Sequence, residues 1–479
     1  MRIRQLAVLV LAAPLLFGQV KESVTVEVID VPVYVINGNA PVKDLKKENF
    51  DLFVNGKRQK IDYFDTIDFA EVENQPQVAA TRDPRERRLF LILFDLAFTR
   101  MSAIDRARKA AIAVIDAAAP SDYFAVATFS PRDGANFVAP FTNDHAVARR
   151  AVATLSASSE KDPLSLAISA QERRIYTFAV GFADGERIGN PATQNIITWN
   201  ADRDARSMQV KRVIENQILS FDEIGARLEQ LEGYKHVIVL SEGFGPGLAY
   251  ANSYQTDPGL LDAMNAMFSS FKRANAVIDS VDIGSPERDS FMSEALRLMA
   301  QETGGQFIMQ ATDIKQAMQR ISNTSAYGYR LGFHRPANLP DGDNKIEVKV
   351  RNVPRGTTVS YRRGFSSIMG AQQPFDGLGL ADIILNDIPQ TGVTPPGLAF
   401  RNSSLDIAIP EDAVDGYVAE VLLYIFDANG AVVDFKQKRV PVAGVMRNKL
   451  ELPAGTYVAK VLVRSGDLMG FSRQQFVVP

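Results

Sequence analysis

Residues Leu89–Arg100 read LFLILFDLAFTR, and this stretch decides the fold. An unbroken apolar run ends in a single acid, Asp95, and the chain then enters a helical pattern that carries Ala103 to Ala119. A strand without polar alternation is one covered on both faces, as is the central parallel strand of an α/β domain. Open α/β sheets bind their ligands beyond the carboxyl ends of such strands. An acid at that tip, with small or hydroxyl residues two and four positions on, has the spacing to hold a divalent cation. Ala97 stands where one hydroxyl is required, so the chemistry is incomplete.

On the C-terminal side of this run, strand and helix patterns alternate. Strands are expected at 89–95, 123–129, 136–140, 236–241, 276–282 and 305–309. Between the first two, Ile104, Ala107, Ala111, Val114, Ile115 and Ala118 fall on one helical face. Asp144 has the chemistry of a helix N-cap and Gly304-Gly305 that of a C-cap. Such alternation predicts a doubly wound parallel sheet. Residues 157–206 break the pattern, with a strand-like RIYTFAVGF at 174–182 and a polar run after it. They read as an insertion on the binding rim or as a loop, and helical spacing resumes from Ser207 to Leu231.

On the N-terminal side the signals are those of β structure. Residues 24–35 alternate as a strand, with Pro32 suggesting an edge or a bulge. Asn55-Gly56, between strand-like 50–54 and 60–64, is a strong hairpin signal. Residues 71–86 read as a linker. Strand patterns return after Thr324 in YGYRLGFH, NKIEVKVRN and TTVSYRRGF. The few strands before residue 70 cannot bury a core alone, and those at 327–366 have the same need. The two sets are therefore expected to pack together, with the α/β domain (87–326) inserted between them. A connector, MGAQQPFDG, then leads to an all-β, sandwich-like segment over 377–479.

Composition narrows the function classes. The 479 residues are 46% hydrophobic and 23% charged, an ordinary globular balance. A net charge of −3 gives no argument for a nucleic-acid partner. There is no cysteine, which excludes a thiolate nucleophile, zinc–thiolate ligation and structural disulfides. The first residues, MRIRQLAVLVLAAPLLFGQV, pair Arg2 and Arg4 with an apolar run too short to span a bilayer. They are expected to be a signal peptide, 1–19, that exports the chain to the periplasm or beyond the cell. No other segment is long and apolar enough to be read as a transmembrane span.

The middle of the chain resembles a von Willebrand factor type A domain. Residues 24–366 as a whole resemble the VWFA-related proteins common in Acidobacteria. The matching blocks, in order, begin with VPVYVINGNAPVKDLKKENFDLFVNGKRQKIDYF, LFLILFD and KHVIVLSEGF. LRLMAQETGGQFIM and YGYRLGFHRP…DNKIEVKV…VSYRRGF follow. The resemblance implies a Rossmann-like, doubly wound α/β domain flanked by β-sandwich-like domains. It also implies a metal-ion-dependent adhesion site that binds Mg²⁺ or Mn²⁺ through an Asp-x-Ser-x-Ser motif, a Thr and a later Asp. Carried over, Asp95 matches the first Asp, Ala97 the first Ser and Thr99 the second Ser, while Glu242 stands where the last Asp belongs. No match for the Thr is found; its loop is expected near Ser156, Ser158, Ser159 or Ser165. The site reads as degenerate, and the incomplete ligand set favours no metal over Mg²⁺ or Mn²⁺. In that case Asp95 caps the following helix and Thr99 bonds the loop backbone.

Other chemistry fares less well. Ser241 lacks the Gly two residues earlier that a nucleophile elbow needs. His236 sits inside an expected strand as a satisfied, half-buried histidine. The glycines of GFGPG (243–247) have the wrong spacing for a phosphate loop. Tyr327, Tyr329, Phe333, Tyr361 and Phe365 alternate as core residues, with Arg362 and Arg363 on a solvated edge. The expected function is a non-catalytic, exported module for protein binding or cell adhesion. Its protein ligand would be met by Asp95, Phe98, Thr99, Glu242 and Phe244, with loop 183–206 adding specificity. The alternative is a structural or assembly module of a cell-envelope complex without a metal site; a hydrolase ranks below both. The sequence leaves the ligand and the oligomeric state open.

Overall fold

A computed structural model describes residues 28–69, 84–155, 193–243, 258–284, 293–336, 338–340, 342–367, 377–390, 393–413, 418–441, 444–466 and 468–479. The expected leader (1–19), the strand at 174–182, the serines near 156–165, loop residues 183–192 and Phe244 lie outside the described residues. The first strands are β1 (Val28–Asn37), β2 (Ala40–Pro41), β3 (Phe50–Val54), β4 (Lys57–Gln59) and β5 (Tyr63–Asp68). Then come β6 (Arg88–Asp95), α1 (Met101–Asp116), β7 (Asp122–Ser130), β8 (Gly134–Thr142), α2 (His145–Thr154) and α3 (Thr193–Leu228). β9 (Tyr234–Ser241), α4 (Pro258–Arg273), β10 (Ala276–Asp282), α5 (Glu294–Thr303), β11 (Phe307–Ile308) and α6 (Ile314–Thr324) continue the alternation.

These last elements build a six-stranded sheet in the order β11-β10-β9-β6-β7-β8. β6 runs parallel to β7 and β9, β9 to β10 and β10 to β11; edge strand β8 alone is antiparallel, to β7. All eight residues of β6 are buried, and its alternate side chains serve two cores. Leu89, Leu91 and Leu93 pack with Ile214, Ile218 and Phe221 of α3 and with Met267 and Phe271 of α4. Phe90, Ile92 and Phe94 pack with the alanine face of α1 and with Met318 and Ile321 of α6. A strand sandwiched this way needs no polar alternation, and each such side chain contributes about 1.5–3 kcal/mol on burial. The Asp144 side chain caps α2 by accepting from the Ala146 N–H, and Gly304 ends α5 in the left-handed region at φ 90°.

The strands before residue 69 pair with those after 326. β12 (Tyr327–His334), β13 (Gly342–Val350), β14 (Thr357–Tyr361) and β15 (Gly364–Ser367) are the later partners. One sheet runs β14-β1-β12-β5 and the other β15-β13-β3-β4. Val31, Val33, Leu52, Tyr329, Leu331, Phe333 and Ile346 fill the space between them. Pro32 is not at a bulge, and although its strand lies between two others, Pro32 itself has a partner on one side only, a local edge position. β1 is central, paired with β12 from Val28 to Val33, and its pairing with β14 begins only at Val33. The missing N–H at Pro32 therefore falls where one neighbour has not yet started. The Asn55-Gly56 hairpin is present, with φ 49° and 77° at its two residues. Its return strand is 57–59 rather than 60–64, and residues 63–68 cross to the other sheet.

The C-terminal region is not all-β. It opens with α7 (Gly377–Asn386), ahead of β16 (Gly397–Arg401), β17 (Ser404–Ile409), β18 (Val418–Phe426), β19 (Val432–Pro441), β20 (Gly444–Lys449), β21 (Gly455–Ser465) and β22 (Leu468–Val478). Two sheets, β16-β17-β20 and β19-β18-β21-β22, enclose a core of Leu405, Ile407, Val421, Leu423, Val461 and Val463. On the outer face of the second sheet, Ile383 and Ile384 of α7 cover Leu422, Phe426 and Leu462. Asp382, on the same helix, forms a bidentate buried pair with Arg87 at 2.8–2.9 Å.

Two further expectations are corrected. Residues 193–206 are the first part of α3, so the proposed specificity loop is in that part a helix. Arg362 and Arg363 are half-buried rather than solvated. Arg362 Nε donates to the Gly364 carbonyl, and Arg363 Nη1 donates to the Tyr361 hydroxyl with its guanidinium 4.3 Å over that ring.

Candidate functional site at the carboxyl edge of the sheet

The candidate residues meet because β6 and β9 are parallel neighbours. Phe94 pairs with Leu240, which sets Asp95 beside Ser241 at the two strand tips. Ser241 Oγ donates to Asp95 Oδ2 at 2.6 Å and accepts from the Gly243 N–H at 2.7 Å. Asp95 Oδ1 accepts from the N–H groups of Ala97 at 2.9 Å and Phe98 at 3.1 Å, and the Gln217 side chain lies close enough to help hold the carboxyl's pKa down. Burial raises the carboxyl's pKa, and these donors oppose that shift. Asp95 thus shapes the loop after β6 by accepting from Ala97 and Phe98, but it does not cap α1 as expected: the N-cap residue is Arg100, and no side chain caps that end.

Thr99 and Glu242 are brought to the same place. Thr99 Oγ1 accepts from the Glu242 N–H at 3.1 Å. The Glu242 side chain is 5% exposed, and its carboxylate is held by Arg100: Nε lies 3.0 Å from each oxygen and Nη2 lies 2.8 Å from Oε1. This contact keeps Arg100 charged and raises its pKa. Phe98 is buried in the core on the α3 side, so it offers little surface to a partner.

Arg100 and Gln217 are not among the residues picked from the sequence. Arg100 directly follows the Asp-x-Ala-x-Thr stretch, so a basic residue after the last motif position was the available signal. Gln217 lies more than a hundred residues from Asp95 on α3, and nothing local marks it. Its Oε1 is buried and has no partner among the described residues.

The residues present do not fit a divalent cation. Hard oxygen-liganded ions need free carboxylate or hydroxyl lone pairs directed at one point. Here Ala97 offers a methyl, Thr99 Oγ1 holds a backbone N–H, both Glu242 oxygens face a guanidinium, and Asp95 is met by three donors. Among the described residues no cluster of three or more His, Asp or Glu side chains has metal-binding geometry. Nor, among the described residues, does the edge hold a nucleophile and base in contact. His236 Nδ1 bonds Asp279 at 2.7 Å, and its ring stacks on Phe90. It lies five residues before Ser241 on the same strand, roughly 16 Å away at about 3.3 Å per residue.

No family model matches the chain, and no curated protein matches it. Among solved structures, conserved hypothetical protein BatB from Bacteroides thetaiotaomicron aligns at 13% identity over 50% of this chain and 98% of its own, with a TM-score of 0.25. Dimeric latent PorU from Porphyromonas gingivalis aligns at 17% identity over 32% of this chain and 13% of its own, with a TM-score of 0.15. A β-D-glucuronidase from Dictyoglomus thermophilum aligns at 8% identity over 32% of this chain and 26% of its own, with a TM-score of 0.13. At these scores no family is assigned to the chain. Among the described residues no helix is long and apolar enough to cross a membrane.

Proposed function

We propose that the chain is a non-catalytic, exported protein-binding module of the von Willebrand factor type A kind. It engages a protein ligand through the carboxyl rim of its six-stranded sheet. The observation that carries this reading is the convergence of Asp95, Thr99 and Glu242 at the tips of two adjacent central strands, with a solvent-facing arginine beside them. Ligands of open α/β sheets bind at such an edge. The commitment of Ser241 to Asp95 and of His236 to Asp279 weighs against hydrolysis at the same place.

A second reading, an assembly module held in a cell-envelope complex by its β domains, is favoured by one observation. Edge strand β19 exposes Val432, Val433 and Phe435, each about half accessible. Exposed apolar edge strands are templates for pairing with another chain.

Site-specific photo-crosslinking separates the two. A benzophenone amino acid is placed at Ser102, exposed on the first turn of α1, at Val433, and at Glu232 on the opposite edge of the sheet. The rim reading expects a discrete envelope-protein adduct from Ser102 alone. An adduct from Val433 alone overturns it in favour of assembly, and equal or absent adducts at all three positions overturn it as well.

A further inference from the structure

We infer that the edge of the C-terminal sandwich formed by β19 and β20 is a docking surface for an anionic lipid bilayer. β19 and β20 follow one another in the chain and are edge strands of the two opposed sheets. Lys436 Nζ reaches across to the Lys449 carbonyl at 2.8 Å, which brings the two strands together along one edge. Val432, Val433, Phe435 and Val445 stand on it between 45% and 62% exposed. The Tyr424 ring, centred 4.6 Å from that of Phe435, supports the phenyl ring from the neighbouring strand. Five cations share the edge. Lys436 pairs with Asp434, Arg447 with Asp406 and Lys449 with Glu451. Asp427, in the hairpin turn, accepts from the N–H groups of Asn429 and Ala431. Lys438 and Arg439 are exposed and form no ion pair among the described residues, so the surplus charge of the edge is positive.

Exposed apolar side chains on an edge strand can serve strand pairing, and two features of β19 oppose that use. Val433 is an extra residue: Ile425 faces Asp434 while Phe426 faces Val432, a bulge at the apolar end of the strand. Lys436 is turned toward the facing sheet, an inward charge that hinders a ladder. The apolar side chains are therefore offered to a partner that needs no backbone register. A bilayer surface is such a partner. Apolar side chains enter the boundary between headgroups and acyl chains, while Lys and Arg stems lie along it with their charges at the phosphates. The unpaired cations select anionic lipid over zwitterionic lipid.

The chain has no cysteine, so Val433→Cys gives a single attachment point for a polarity-sensitive fluorophore on the full chain. Ser102→Cys, on the first turn of α1, is the control position. The probes are vesicles of phosphatidylcholine, vesicles of phosphatidylcholine mixed with phosphatidylglycerol, and soluble dextran sulfate. The mixed vesicles are expected to bind the chain and to shift emission at position 433 to the blue, with position 102 unmoved and phosphatidylcholine alone far weaker. Lys438→Gln combined with Arg439→Gln should lower the partition about thirtyfold, at about fivefold for each charge. Lys345→Gln combined with Lys349→Gln, on β13, should leave it unchanged. An equal shift with dextran sulfate assigns the edge to a soluble polyanion and overturns the inference. A shift that follows protein concentration without vesicles marks a second copy and overturns it too. So does the absence of a shift, an equal shift with both kinds of vesicle or at both positions, or a partition that ignores Lys438 and Arg439. The Ser102 crosslink to an envelope protein is read separately, so failure here leaves the reading of the rim standing.

Discussion

Arg100 and Glu242 are joined side-on, with Arg100 Nε 3.0 Å from both carboxylate oxygens and Nη2 2.8 Å from Oε1. The pair links the start of α1 to the end of β9 and places the more buried charge on the strand. Removing the arginine strands that charge: Arg100→Met is expected to cost about 1–3 kcal/mol, less than a fully buried pair because the guanidinium is partly solvated. Arg100→Met combined with Glu242→Met should recover part of the loss. Urea titrations of the three variants measure it, and a destabilisation in the double variant equal to the sum of the singles contradicts the coupling.

Ser241 serves Asp95 rather than a substrate. Ser241→Ala leaves the Gly243 N–H and Asp95 Oδ2 each short of a partner in a buried place. The expected loss is about 1–3 kcal/mol. Ser241→Thr, which keeps the hydroxyl, should lose less if its methyl is accommodated. A stability unchanged in Ser241→Ala would remove the hydrogen bonds from the account.

Lys235, on β9 at the opposite end of the sheet, is a buried ammonium whose Nζ donates to the Ala274 carbonyl at 2.6 Å. Burial, reinforced by Arg87 and Arg362, lowers its pKa from 10.5 to about 7. The unfolded chain therefore binds the proton more tightly. This group's contribution to stability is fully present above pH 10.5 and is lost as pH falls toward 7. Lys235→Met, which keeps the length and drops the charge, is expected to raise stability near pH 7 and to flatten its pH dependence between there and 10. Thermal melts across that range check the slope, and a variant that keeps the wild-type slope contradicts the assignment.

The buried Arg87–Asp382 pair joins the residue before β6 to the helix that opens the C-terminal region. Its two side chains are 5% and 6% exposed, so breaking it by Asp382→Ala should cost about 3–5 kcal/mol. The loss should also loosen α7, and amide exchange in residues 377–386 is the direct readout. Unchanged protection there would show that Ile383 and Ile384 hold the helix without the ion pair.

What could be read from the sequence follows from how local each cause is. Leu89–Asp95 announced a strand buried on both faces because every residue of it is apolar until the last. Asn55-Gly56 announced its turn because those residues accept positive φ. Pro32 was read rightly as an edge position in the local sense, though nothing local showed that the strand would gain a second neighbour one residue later. Here the deficit is absorbed in a central strand, one residue before β14 pairing begins. α7 went unread because GLGLADIILN is short and begins with glycines, and its helicity depends on packing against β18 and β21. At the candidate site, Asp95, Thr99 and Glu242 were found from a pattern, and they do converge. The pattern could not say what fills the space between them, because that depends on the rotamer of Arg100, a residue outside the motif.

The most direct measurement is the melting temperature of the full chain in EDTA and in millimolar Mg²⁺ and Mn²⁺. A cation that binds only the folded state raises the midpoint by mass action. With Asp95 met by three donors and Glu242 held by Arg100, the midpoint is expected to be the same in all three conditions. A rise with Mg²⁺ or Mn²⁺ that Asp95→Asn abolishes would contradict a carboxyl edge closed by the chain's own groups.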